Sequence, residues 1–265
     1  MERHPAPWIS GQMLAILAAC ALVGAGCAKA PSGDQLAVHK VTTVTTHTTA
    51  RPSGRTVASG TDTLVLWLGS TAARRDSRDG TFLVDSARDR LLYVDHRERT
   101  WTAQSTHEVQ HLLAAIAADS LTEPDDDPRL AQLKSMLDVA VKVTDAGEYA
   151  TVDGYRCRRW LMEQQIGEVV TTSELWLTED IALDFELLHR ATRPALLAIP
   201  GGEPALAELA KLRGVPVVTT AIIQRRGLQT RSETRLLSVE TVRVPREFFA
   251  PPAGYQPASA DDLRD

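Results

Sequence analysis

The sequence predicts an α+β fold: one antiparallel sheet, strongly curved or covered on both faces, with helical insertions packed against it. Three observations lead there. Runs rich in Val, Thr, Leu and Trp recur along the chain, with about four to six polar residues between them. That spacing suits hairpins and is too short for parallel crossovers. Several runs are apolar on both faces, so they need cover on both sides. Two longer segments carry helical signals and supply that cover.

The chain opens with an export signal. An uncharged apolar run from Met13 to Gly26 ends in Gly24-Ala25-Gly26-Cys27, small residues before a cysteine. The run is shorter than the roughly 20 residues a membrane span needs. Residues 1–27 therefore read as a bacterial lipoprotein signal in which Cys27 is acylated. Cys20, preceded by Leu17-Ala18-Ala19, is the alternative site, with a weaker apolar core before it. Residues 28–35 form a tether, 36–257 the folded domain and 258–265 a polar tail. The only cysteine beyond the signal is Cys157, so no internal disulfide is available. It reads as a small buried residue on a strand.

Val38 to Thr49 is the first strand, rich in Val and Thr. Thr63 to Leu68 is a second. Asp79-Gly80 signals a turn before Thr81–Asp85. Leu91–Val94 and Thr100–Thr102 follow. A helix is expected from Ser105 to about Ser120, then an acidic turn at 123–128 and a second helix over Arg129–Val139. Asp153-Gly154 introduces a strand at Tyr155–Leu161, and Val169–Leu177 is the next. Further helix is expected between Ala182 and Arg213, broken by Pro194 and by Pro200-Gly201-Gly202. Strands at Pro216–Gln224 and Thr230–Val242 flank Gly227, the hairpin position. The sum is roughly nine or ten strands and three or four helices.

Net charge is −5 with no basic tract, so nucleic acid is not an expected partner. One motif carries catalytic chemistry. His107-Glu108-Val109-Gln110-His111 matches H-E-x-x-H, in which two histidines one helical turn apart bind zinc and the glutamate acts as general base. The context points elsewhere. Ser105 and Glu108 form the S-x-x-E capping box that starts a helix. On the wheel, Val109, Leu112, Leu113 and Ile116 make the apolar stripe, and His107 and His111 point away from it. No third ligand stands out. The triple acid Asp125-Asp126-Asp127 lacks the alternating ligands of a calcium loop. No G-x-S-x-G elbow is present. No metal or cofactor is expected.

The order of elements resembles the LolA-like group of envelope proteins: lipoprotein carriers, their LolB-like membrane-anchored relatives, and a branch without assigned function, the nearest match. The residues that carry the likeness span about 36–257. They are Val65-Leu66-Trp67-Leu68 with Arg74-Arg75, Phe82-Leu83-Val84-Asp85, Leu91-Leu92-Tyr93-Val94-Asp95 and Thr100-Trp101. Gly154 to Trp160, Thr172 to Thr178, Gly214-Val215-Pro216-Val217 and the ending Phe248 to Tyr255 complete it. The resemblance implies an incomplete barrel with helices plugging its concave side, and an acyl-binding cavity between. It implies no catalytic residue.

The expectation is thus a lipid-anchored, non-catalytic protein of the cell envelope, facing the periplasm or the extracytoplasmic side. Its partners are the membrane, through the anchor, and an apolar ligand: lipid, acyl chain or lipoprotein. Ala28 after Cys27 is similar to outer-membrane sorting in cells with two membranes. The expected lining is Val65, Trp67, Tyr93, Trp101, Trp160, Trp176 and Ile223 from strands, with Val109, Leu112, Leu113 and Ile116 from the helix. A structural or stress-related envelope module with a filled core, binding a partner at its sheet edge, is the second expectation. A zinc hydrolase is the third.

Overall fold

The computed structural model describes residues 35–78, 80–105, 107–108, 139–166, 169–183, 202–225 and 227–258. Two antiparallel meanders meet along one seam. The first runs through β1 (Gln35–Ala50), β2 (Thr56–Leu68), β3 (Ala72–Asp76), β4 (Gly80–Asp85), β5 (Arg90–Asp95) and β6 (Thr100–Gln104). The second runs through β7 (Val139–Val152), β8 (Tyr155–Ile166), β9 (Val169–Thr178), β10 (Val215–Arg225) and β11 (Leu228–Pro245). A two-residue β12 (Gln256–Pro257) lies parallel to β6. The order across the 12-stranded sheet is β12-β6-β5-β4-β3-β2-β1-β11-β10-β9-β8-β7.

The expected α+β fold is overturned. The described chain is nearly all strand, in one long open mixed sheet. One α-helix, α1 (Gly202–Leu209, 8 residues), falls within the predicted 182–213 segment, and residues 107 and 108 are helical. Ser105, Ala182, Leu183 and residues 210–213 are described and are not helical, and Val139 opens β7; the remainder of the predicted helical segments lies outside the described residues, as do Asp79 and the end of the polar tail. The physical reason is strand length. β1 and β11 extend over 16 and 18 residues. Alternate Thr and Ser side chains let a strand continue where apolar runs stop. β7, unrecognised as a strand in the sequence, alternates Val139, Val141 and Val143 on one side against Ala140, Lys142 and Thr144 on the other.

Paired residues share a side of the sheet, so the registers sort the core. On one face, Leu206, Leu209 and Leu212, from α1 and the turn after it, pack on Val141, Val143, Trp160, Met162, Leu175 and Leu177. The same face carries Val41, Leu66, Leu68, Ala73, Leu236 and Val239, packed with Leu183. This is the helix face. On the other, the clasp face, Val38, Trp67, Leu83, Leu92, Val94, Trp101 and Val244 pack under Phe248, Phe249 and Tyr255 from the chain's C-terminal stretch. Both-faced burial accounts for the continuous apolar runs in β2, β4 and β5.

The turn chemistry follows the sequence. Asp153 and Gly154 both take positive φ, 49° and 87°, in the two-residue link between β7 and β8. At the open margin of the sheet, α1 performs a further task. The Val143 amide, on the outermost strand, donates to Glu208 Oε2 at 2.9 Å, and Lys211 pairs with the same carboxylate. Lys211 first, then the Val143 amide, hold the Glu208 carboxyl below the usual range. Its contribution to stability is therefore present above the ordinary glutamate pKa of about 4.3 and is lost as pH falls through the lowered folded value. Glu208→Ala bares a strand-edge donor. Sedimentation velocity should show stronger self-association of this variant than of the wild type. Equal behaviour of the two would refute the capping role.

Candidate functional site: a polar patch on the helix face

Three successive rows of residues cross β8, β9, β10, β11 and β1 on the helix face. The registers align Trp160, Leu175, Thr219, Thr234 and Thr45. Met162, Ser173, Ala221, Ser232 and His47 form the next row. Gln164, Thr171, Ile223, Thr230 and Thr49 form the third. Alternation along each strand puts all three rows on one side. Their composition is unusual for a covered surface, because hydroxyl and amide groups outnumber large apolar side chains.

Much of the patch is buried. Gln164 is 2% exposed, and Thr171, Ser173 and Thr219 are buried beside it. Across the seam the hydroxyls satisfy one another: Thr45 with Thr234 and Thr49 with Thr230, each at 2.8 Å. Elsewhere they do not. Among the described residues, Thr43 Oγ1, Trp160 Nε1, Gln164 Oε1 and Nε2, Thr171 Oγ1 and Thr219 Oγ1 are buried with no hydrogen-bond partner. Each such group costs about 1–3 kcal/mol if nothing satisfies it. Six on one face call for a bound species, solvent or ligand. At the seam, the His47 ring covers Gly60, where a Cβ would meet it at 2.7 Å. Glycine there makes room for the imidazole, whose Nδ1 lies 3.7 Å from Asp62.

The clasp face carries a second polar cluster. Asp76 accepts from Trp67 Nε1 (2.9 Å), Arg74 Nε (2.8 Å) and the Thr81 hydroxyl (2.6 Å). Thr81 spends its single proton on Asp76, so its oxygen accepts from His96 Nε2–H at 3.0 Å. In the neutral ring His96 Nδ1 is then the acceptor for the Tyr255 hydroxyl, 3.2 Å away. Arg74 also donates to the Phe248 carbonyl (2.7 Å) and lies over the Phe248 ring. Asp76, Thr81, His96 and Tyr255 thus form one continuous chain of hydrogen bonds, with Thr81 buried within it. The cluster is a fastening that holds the C-terminal stretch on the sheet.

The expected lining residues divide between the two sides. Val65, Trp67, Trp101 and Trp176 are on the clasp face; Tyr93, Trp160 and Ile223 are on the helix face. They do not form one surface. Cys20, Cys27, Val109, Leu112, Leu113, Ile116 and His111 lie outside the described residues. Of the zinc motif, His107 and Glu108 are exposed at a helix start. The capping box is formed. Glu108 N–H donates to Ser105 Oγ at 2.9 Å, and Ser105 N–H to Glu108 Oε2 at 2.6 Å. Those bonds, the backbone one foremost, lower the Glu108 pKa. Among the described residues no three His, Cys, Asp or Glu side chains come together as a metal site. Cys157 is fully buried on the clasp face with Val217 and Val218, and burial pushes its thiol up to about 11. Sequence reasoning missed the Gln164–Thr171 patch because its residues alternate with exposed polar ones. The missed signal was a pair of facing strands whose core positions are polar.

The fold and these two clusters define an open β-sheet protein with a buried, unsatisfied polar surface. The chain belongs to the family "Domain of unknown function (DUF4412)", which matches residues 81–255, from Thr81 to Tyr255 of the fastening. No curated protein matches the chain. Among solved structures, one titled "Structure of PNGF-II in P21 space group" is 11% identical with a TM-score of 0.35. That alignment covers 85% of this chain, which spans 32% of the other chain's length. An acetoacetate decarboxylase-like enzyme from Sphingomonas wittichii RW1 is 10% identical with a TM-score of 0.14, over 80% of this chain and 94% of that one. Neither likeness is close enough to carry an argument.

Three outcomes follow from the clasp face. Asp76→Ala strands the Thr81 hydroxyl and unpairs Arg74, and should cost about 3 kcal/mol, seen as a lower urea midpoint. Tyr255→Phe should cost only about 1 kcal/mol. Cys157 should resist iodoacetamide at about pH 8 in the native protein and react once urea unfolds it. Rapid native labelling would contradict the buried placement.

Proposed function

We propose that this protein is a lipid-anchored, non-catalytic component of the cell envelope that binds an amphipathic ligand, a lipid or an acylated protein, on its helix face. The observation that carries the reading is the adjacency of two surfaces there. The six unpartnered polar atoms border the apolar bed of Val41, Leu66, Leu68, Leu236 and Val239. One surface suits a polar head and the other a hydrocarbon chain, whose burial contributes about 25 cal/mol per Å². The Cys27 signal supports the anchor and the location. The likeness of the chain's motifs to lipoprotein carriers supports the ligand class. An interaction module that pairs through the β7 edge is the second reading, and it is opposed by the carboxylate of Glu208 already seated on that edge.

Native mass spectrometry of the full-length protein, extracted from membranes in mild detergent, tests this. Lipid-sized adducts that leave on denaturation are expected. Cys27→Ala should move the protein to the soluble fraction. Reproducibly ligand-free protein would overturn the binding function and favour the interaction module.

A further inference from the structure

We propose that the patch around Gln164 and Thr171 selects an uncharged, hydrogen-bonding headgroup, one that presents hydroxyl and carbonyl groups rather than a carboxylate or phosphate. The inference rests on the ligand reading above and specifies the ligand's polar end. The unpartnered atoms supply both halves of a hydrogen-bond pattern. Trp160 Nε1 and Gln164 Nε2 can only donate, Gln164 Oε1 can only accept, and the Thr43, Thr171 and Thr219 hydroxyls can do either. A polyol or ester headgroup matches such a mixture. A carboxylate or phosphate, which only accepts, would leave Gln164 Oε1 without a donor.

Charge argues the same way. The three rows contain no Lys, Arg, Asp or Glu between β8 and β1. At one corner of the grid Asp145 is opposite Trp160 and is bound by Arg158. At the other, Asp62 stands by His47. An anion entering the patch would be desolvated with no Lys or Arg inside the three rows to meet it; the cations on this side of these strands stand at the margins, Arg158 bound to Asp145 and Arg225 exposed one row beyond Ile223. A neutral headgroup pays only for the waters it replaces. Gln164 is the discriminating group, because it is almost wholly buried and both ends of its amide are unsatisfied.

The test uses full-length, delipidated protein and two probes with the same chain, monolauroylglycerol and laurate, titrated by calorimetry at about pH 8, where laurate is ionised. The neutral probe should bind at least about tenfold more tightly. Gln164→Met and Thr171→Val, which conserve volume, should each weaken monolauroylglycerol by about tenfold and leave laurate within about twofold. Their melting temperatures should equal or exceed that of the wild type, because each removes an unsatisfied polar group. Equal affinity for the two probes, or a preference that survives both substitutions, would overturn the headgroup assignment and leave the ligand reading standing. Failure of both probes to bind would remove the ligand reading itself.

Discussion

The seam between β1 and β11 is the constraint on which the molecule depends. Within each meander every strand pairs with its neighbour in sequence, across short links except between β9 and β10, where the connection from Thr178 to Val215 includes α1. The seam is different. It joins Gln35 to Pro245 and Ala50 to Gln229, and so brings together chain ends separated by nearly the whole fold. Its loop-closure cost is met only when both meanders are present. The cores on both faces depend on it. Val41 opposite Val239 belongs to the helix face, and Val38 opposite Val242 to the clasp face. A bulge at Thr42/Thr43 sets aside Leu237, which is 59% exposed, and keeps both sets in register. Without the seam the helix-face patch would be split, since its rows cross from β8 to β1.

The two faces are finished by different devices. On one side the short helix α1 packs on the far meander. On the other, the chain's last described residues fold back over the near meander and are fixed by Asp76, Thr81, His96 and Tyr255. The difference is one of degree: Arg90 Nε and Arg159 Nε are buried without a hydrogen bond on the clasp face, against the six polar atoms of the patch on the helix face. The clasp-face network meets the hydrogen-bonding needs of its members and closes a core of aromatic and aliphatic side chains. Among the described residues, the helix face leaves several buried groups without partners. In a fold whose one described cysteine is a buried free thiol, such a deficit is costly. Six such atoms lie together on the helix face, and the proposed function is placed there on that ground.

The legible parts of the sequence were local. Asp153-Gly154 specified its turn because a left-handed pair is the cheapest two-residue link. Ser105 and Glu108 announced their cap because each supplies what the other's amide lacks. Antiparallel order was readable from short polar links. The fold class was not. Helical inserts were weighed as a layer, whereas polar stretches such as Thr56–Asp62 and Thr144–Val152 are strand. A half-polar strand looks like a loop until its partner is known. Nor could the side of the sheet be read. Trp67 and Trp160 look alike in sequence, yet registers spanning some two hundred residues put them on opposite faces. The same limit hid Gln164, whose burial is a property of its neighbours rather than of its own segment.

The direction of β1 has a geometric consequence. The chain enters the sheet at Gln35, and the row holding Gln164 and Thr171 meets β1 at Thr49, fourteen residues later. At about 3.4 Å per residue that is a stand-off of up to roughly 48 Å. The bed around Val41 lies much nearer the entry point. Under the proposed anchoring upstream of Gln35, the sheet would stand as a mast, its greasy surface nearer the anchored end and its hydroxylated surface farther from it. Cargo would then ride with its tail toward the anchorage and its head aloft.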